Sequence, residues 1–151
     1  MRRLAIGSVA IAVVLFASGL SAQGKNFAGK WTPDTEKNAA ATGGGGGRGG
    51  PGPMTITQDA KTLTIERMAG ENTIKTVYNL DGSESKNTMP GRQGGAPTET
   101  TSTAKWDGDK LVITTKTANG EAVQKWYMEG ANLVSERQGQ AGAVKTFYKK
   151  G

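Results

Sequence analysis

The residues of this chain best suited to binding chemistry are two arginines in matching contexts. Leu63-Thr-Ile-Glu66-Arg67 and Leu133-Val-Ser-Glu136-Arg137 repeat one pattern. In an extended strand, residues two and four apart share a face. Arg67 therefore falls in phase with Leu63 and Ile65, and Arg137 with Leu133. If that face lies inside the fold, two guanidinium groups approach the interior and can hold an anionic head group through forked hydrogen bonds. In the other reading the strands end there, and both arginines point to water beside Glu66 and Glu136.

Large rings supply the rest of a candidate site. Trp31, Tyr78, Trp106, Trp126 and Tyr148 join the two arginines as the residues expected to touch a ligand, with Ile65, Ile74 and Tyr127 as further wall residues. A plain core role accounts for the same rings.

Catalysis is poorly supplied. The sequence has no histidine and no cysteine. The commonest acid/base group and metal ligand at neutral pH is therefore missing, and no imidazole can activate the many Ser and Thr hydroxyls. Thiol nucleophiles, thiolate metal sites and disulfides are excluded outright. Asp59, Asp81, Asp107 and Asp109 could form carboxylate pairs, but their settings read as turns. No calcium-loop, phosphate-loop or dinucleotide pattern occurs. The expectation is a non-enzyme with no cofactor and no metal.

The elements that must position these residues are strands. Leu63 and Ile65 alternate with Thr62, Thr64 and Glu66; Ile74, Thr76, Tyr78 and Leu80 alternate with Thr73, Lys75, Val77 and Asn79. Such alternation with one greasier face marks a half-buried antiparallel strand, and the abundant threonine favours it. Strands are expected over residues 27–32, 54–58, 62–67, 73–80, 83–87, 98–106, 110–117, 122–129, 132–138 and 143–149. Asp81-Gly82, Asp107-Gly108 and Asn119-Gly120 are two-residue hairpin signals. Gly70, Gly130 and Gly139 or Gly142 punctuate the remaining strand pairs. The one helical expectation is a short, marginal helix over residues 34–42.

The Leu-to-aromatic hairpin recurs. Leu63, Arg67 and Tyr78 map onto Leu133, Arg137 and Tyr148 with a constant offset of 70, and Leu111-Val-Ile leading to Trp126-Tyr127 forms a third copy. Convergent strand patterning explains the repetition as well as duplication does. Adjacent rings such as Trp126-Tyr127 and Phe147-Tyr148 should place one ring on each sheet face. The whole reads as an all-β antiparallel meander of 8–10 short strands, closed into a barrel because closure removes exposed edges.

Residues 1–22 have the charged, apolar and small-residue order of a secretory signal peptide. The apolar run from residue 4 to 16 is shorter than the roughly 20 residues of a stable membrane span. Cleavage after Ala22 leaves one domain, residues 23–151, and lowers the formal charge from +6 to +4. No lipid-anchored cysteine is available. Periplasm or secretion is the expected location. The mature part holds 25 large apolar or aromatic residues, which implies a small core helped by Ala and Thr, or a lumen that is not fully packed. Residues 39–53 are expected to form a long Gly-rich flexible loop and residues 88–97 a second; they read either as tolerated insertions with no role or as a flap carrying Arg48 or Arg92 over a site.

At Gly29-Lys30-Trp31 the chain resembles the lipocalin and fatty-acid-binding (calycin) superfamily, whose barrels begin with Gly-x-Trp. It is more specifically similar to small exported bacterial lipocalin-like domains, on residues 29–31, 34–37, 41–53, 54–59 and 105–111. The resemblance implies a barrel whose floor Trp31 plugs. It also implies a basic residue of the last strand across Trp31, where only Lys145, Lys149 and Lys150 are available. The Arg-x-Tyr carboxylate clamp of fatty-acid-binding proteins is not matched by Lys145-Thr-Phe-Tyr148, so that ligand is not carried over.

The functional expectation is an exported binding module for a small apolar or amphipathic ligand. The alternative is a fully packed structural or interaction domain of the cell envelope, with a protein partner. Scattered positive charge without an aromatic-basic cluster gives no case for nucleic acid.

Overall fold

The computed structural model describes residues 24–42, 51–91, 95–118, 120–139 and 142–151. Residues 1–23, where a signal peptide is expected, most of the Gly-rich segment with Arg48, and Arg92 and Asn119 lie outside the described residues.

Ten strands follow in order: β1 (Gly29–Pro33), β2 (Met54–Gln58), β3 (Thr62–Ala69), β4 (Asn72–Asn79), β5 (Glu84–Met89), β6 (Thr98–Asp107), β7 (Lys110–Thr117), β8 (Gly120–Glu129), β9 (Asn132–Gly139) and β10 (Gly142–Lys150), with one helix, α1 (Thr35–Thr42), after β1. They form one sheet in the order β4-β3-β2-β1-β10-β9-β8-β7-β6-β5. Every described pairing is antiparallel. The first and last strands meet: Trp31 lies opposite Lys150 and Pro33 opposite Tyr148. The result is a nearly closed lipocalin-like meander barrel.

The remaining seam lies between β4 and β5, the two end strands of the sheet. Side chains bridge it. Val77 N–H donates to Asn87 Oδ1 (2.7 Å) and Asn87 Nδ2 donates to the Val77 carbonyl (2.9 Å), so one amide imitates a strand. Asn79 N–H donates to Ser85 Oγ at 2.7 Å, and Asn79 Nδ2 to the Glu84 carbonyl at 3.1 Å. Asp81-Gly82 thus turns a corner and closes no paired hairpin, which corrects the sequence expectation. The Asp81 carboxylate takes hydrogen bonds from Ser83 N–H and Oγ and fixes that corner locally.

Residues opposite each other across a pairing share a face. The three repeated hairpins hold one register: Leu63 faces Tyr78, Leu111 faces Trp126, and Leu133 faces Tyr148. These pairs join Trp31, Ile56, Ile65, Ala104 and Ile113 in the inner core. Leu63, Leu111 and Leu133 are 1%, 0% and 0% exposed, so side chains meet them on all sides.

The expected first strand over residues 27–32 starts later, at Gly29. Phe27 is instead drawn inward as part of a plug. It packs on Trp106 with ring centroids 5.4 Å apart. Gln58 ties the plug down by accepting from Phe27 N–H (2.8 Å) and donating to the Lys25 carbonyl (3.1 Å). Gly29 makes the sharp change of direction with φ 140°, a region that favours glycine.

Trp126 and Tyr148 face inward while Tyr127, Val134 and Phe147 form a second cluster on the outer surface. One ring of each adjacent pair is therefore inside. Tyr127 is not a lumen wall residue: it directly follows Trp126, and the two-residue period puts it outside. The short helix exists because tertiary contacts hold it. Asp34 caps its start by accepting from Lys37 N–H at 3.2 Å. Asn38 then clasps the Phe147 backbone, accepting from its N–H (2.6 Å) and donating to its carbonyl (2.9 Å). Residues 39–42 are helical, so the Gly-rich connection starts after Thr42.

Candidate functional site

The interior has two halves of different chemistry. The half nearest the plug is apolar: Phe27, Trp31, Leu63, Leu111 and Leu133 are all at most 2% exposed. Trp31 Nε1 donates to the Phe27 carbonyl at 2.8 Å, so this buried indole is satisfied. Lys150, opposite Trp31 in the register, brings its Nζ to 5.8 Å from the ring centroid. It occupies the position where the superfamily resemblance implies a basic residue. Sequence pattern alone did not select it from Lys145 and Lys149; the strand register does.

Toward the far end the inward positions turn polar. Thr76, Ser85, Asn87, Ser102 and Ser135 are buried at 9%, 7%, 6%, 3% and 5% exposure. Most are spent on one another. Ser102 and Thr115 share a hydrogen bond at 2.8 Å, Gln124 Nε2 donates to Ser135 Oγ, and Asn87 and Ser85 close the seam.

Arg67 reaches into this region. Its register partners, Met54 on β2 and Ile74 on β4, belong to the inward face. The guanidinium carbon lies 5.9 Å from the Trp126 ring centroid, a cation–π distance. Its one described hydrogen-bond contact is Nη2 to Met54 Sδ at 3.7 Å, a weak acceptor. Glu66 does not serve it, since that carboxylate faces outward toward Lys75. Arg67 Nε and Trp126 Nε1 are buried with no hydrogen-bond partner among the described residues.

Trp126 stacks on Tyr148 with centroids 6.1 Å apart and planes 16° from parallel. Burial pushes the Tyr148 and Tyr78 hydroxyls above the ordinary phenol range, and the positive charge of Arg67 opposes that shift at both. Arg137 opposes it at Tyr148 as well. Arg137 lies opposite Gln124 and Val144, in the inward phase, but its side chain is exposed.

The seven residues singled out from sequence therefore divide. Arg67, Trp126 and Tyr148 converge, while Tyr78, opposite Leu63, packs against the core. Trp31 and Trp106 belong to the packed, plugged half. Arg137 stands at the far-end margin. Sequence reasoning missed Gln124 and the seam residues Ser85 and Asn87; strand phase alone could have placed them inside, but their polarity hid it.

Of the four carboxylates considered for a chemical role, Asp59 and Asp81 act as turn residues. Asp59 accepts from Lys61 N–H and Thr62 N–H, both at 2.7 Å, and from Thr62 Oγ1. These bonds hold its carboxyl below the usual range. Among the described residues, no group of three or more acidic, His or Cys side chains could hold a metal, and no helix is long and apolar enough to cross a membrane.

The geometry defines a lipocalin-like barrel with an inward guanidinium, and solved structures share that fold. A mutant of the fluorescent protein UnaG aligns over 83% of this chain and 96% of its own, with TM-score 0.59 and 20% identity. A REP1-NXSQ fatty acid transporter mutant aligns over 82% and 97%, with TM-score 0.60 and 16% identity. Human cRBP IV aligns over 84% and 99%, with TM-score 0.55 and 18% identity. At these identities the likeness is one of fold. No protein-family model matches the sequence, and no curated protein matches it.

Proposed function

We propose that this protein is an exported, non-catalytic binding module that holds a small amphipathic molecule inside the barrel. Residues 1–22 direct it to the periplasm or out of the cell. The observation that carries the binding reading is the unspent chemistry of the interior: the Arg67 Nε and Trp126 Nε1 donors are buried and have no protein acceptor among the described residues. Buried polar groups in folded proteins are nearly always paired, and each exception asks for an explanation. A ligand acceptor is such an explanation. Barrels of this size can enclose one small molecule, and one of the fold's neighbours is a fatty acid transporter. Catalysis is not part of the reading, since the sequence has no histidine and no cysteine.

One observation favours the alternative, a structural or interaction domain of the cell envelope. The plugged half is packed solid around Leu63, Leu111 and Leu133. The two readings separate in a fluorescence titration with two environment-sensitive probes, uncharged N-phenyl-1-naphthylamine and anionic 8-anilinonaphthalene-1-sulfonate. Saturable one-to-one binding of either probe to the folded protein supports the binding module. Failure of both to bind leaves the packed structural domain.

A further inference from the structure

We propose that the ligand is a compact anion, with its oxyanion lodged between the Arg67 guanidinium and the Trp126 indole N–H. The proposal rests on the binding reading above and names the class of molecule. Suitable head groups are a carboxylate, a sulfonate or a phosphate monoester on a short aryl or alkyl body.

Three observations carry it. First, the unpartnered buried groups, Arg67 Nε and Trp126 Nε1, are both donors. They belong to one neighbourhood, because the guanidinium lies over the Trp126 ring at 5.9 Å. Trp126 is 2% exposed, so bulk water does not serve its indole. The comparison with Trp31 is direct. It has the same exposure and lies in the same core, yet its N–H is satisfied by a backbone carbonyl at 2.8 Å. The fold satisfies the buried indole in the plugged half and leaves the one beside the arginine open.

Second, the interior lacks negative charge. No inward-phase position of the ten strands among the described residues is Asp or Glu. Glu66 pairs outward with Lys75, and Glu136 accepts from the outer-face Tyr127 hydroxyl at 2.9 Å. Arg67 is half-buried, and its buried Nε–H has no acceptor; an incoming anion supplies one. Arg137 adds positive potential from the far-end margin.

Third, the space beneath is taken. The Trp126–Tyr148 stack and the leucine layer fill the barrel toward the plug. Ile74, Thr115, Gln124 and Thr146 flank the other side in the inward phase. That filled core bars a long straight chain from running down to the floor.

The two naphthalene probes test this, because they share a ring system and differ by the sulfonate. The sulfonate should bind about tenfold or more tighter than the uncharged probe, as a charge-assisted hydrogen bond predicts. Arg67→Met should bring the two affinities to within about twofold while the uncharged probe keeps its own value, and Arg67→Lys should retain part of the preference. Arg67→Met should keep a single cooperative melting transition, which shows the variant folded. Octanoate should displace the sulfonate at least as well as hexadecanoate does. Equal affinity for both probes in the unsubstituted protein would overturn the anion while leaving the binding module standing. So would a preference that survives Arg67→Met. Binding of neither probe would remove the binding module itself.

Discussion

The two halves of the barrel interior use one strand pattern for different ends. Near the plug, the inward residues are Leu, Ile, Trp and Phe, and cohesion comes from contact. Toward the far end the same inward phase carries Ser, Thr, Asn, Gln and Arg. There cohesion comes from hydrogen bonds between side chains and across the β4–β5 seam. A contact core is complete when it is filled. A hydrogen-bonded layer is complete when donors and acceptors balance, and this one does not balance: Arg67 and Trp126 keep donors in surplus. The difference teaches where function can reside. The apolar half sets stability, and the polar half retains chemistry that a ligand can use.

The comparison breaks most severely at Leu133, which is 0% exposed between Met128 and Tyr148 in the pairing. Leu133→Ala should cost about 2–5 kcal/mol of unfolding free energy, the usual range for a buried leucine truncation. Urea unfolding measures it, and a cost below about 1 kcal/mol would mean that this half is loosely filled. Asn87→Ala should cost less, about 1–3 kcal/mol, because it strands the Val77 N–H and carbonyl that the amide now serves. Hydrogen exchange at Val77 sharpens this second effect. Faster exchange there, with the Leu133 region unchanged, is the expected outcome, and unchanged exchange at Val77 would deny that the amide closes the seam.

Much of this architecture was legible in the sequence. Alternation placed each strand to within two residues at most ends, because burial on one face imposes a period that no other element shares. The Leu63, Arg67 and Tyr78 repeat with Leu133, Arg137 and Tyr148 became a shared register, Leu63 opposite Tyr78 and Leu133 opposite Tyr148. The phase argument left Arg67 either inward or turned to water at a strand end, and β3 runs past it to Ala69 with Met54 and Ile74 as its register partners. Arg137 is in the same phase, yet it is exposed, since phase fixes a face and not a depth.

Other features were illegible for physical reasons. Asp81-Gly82 has the composition of a hairpin turn, but whether its strands pair depends on residues beyond the turn. Phe27 alternates with Gly29 and Trp31 as a strand residue would, and only the closing of the barrel turns it into a plug. The helix at residues 35–42 has weak local preference, and its clasp on Phe147 comes from over 100 residues away.

The central claim is that Trp126 carries an unspent buried donor and Trp31 does not. Nitrogen-detected NMR of the tryptophan indoles, titrated with 8-anilinonaphthalene-1-sulfonate, tests it most directly. The Trp126 indole N–H signal should move and saturate at the same probe concentration as the fluorescence, while the Trp31 signal stays in place. A bound probe that leaves Trp126 unmoved, or that moves Trp31 equally, would contradict the account.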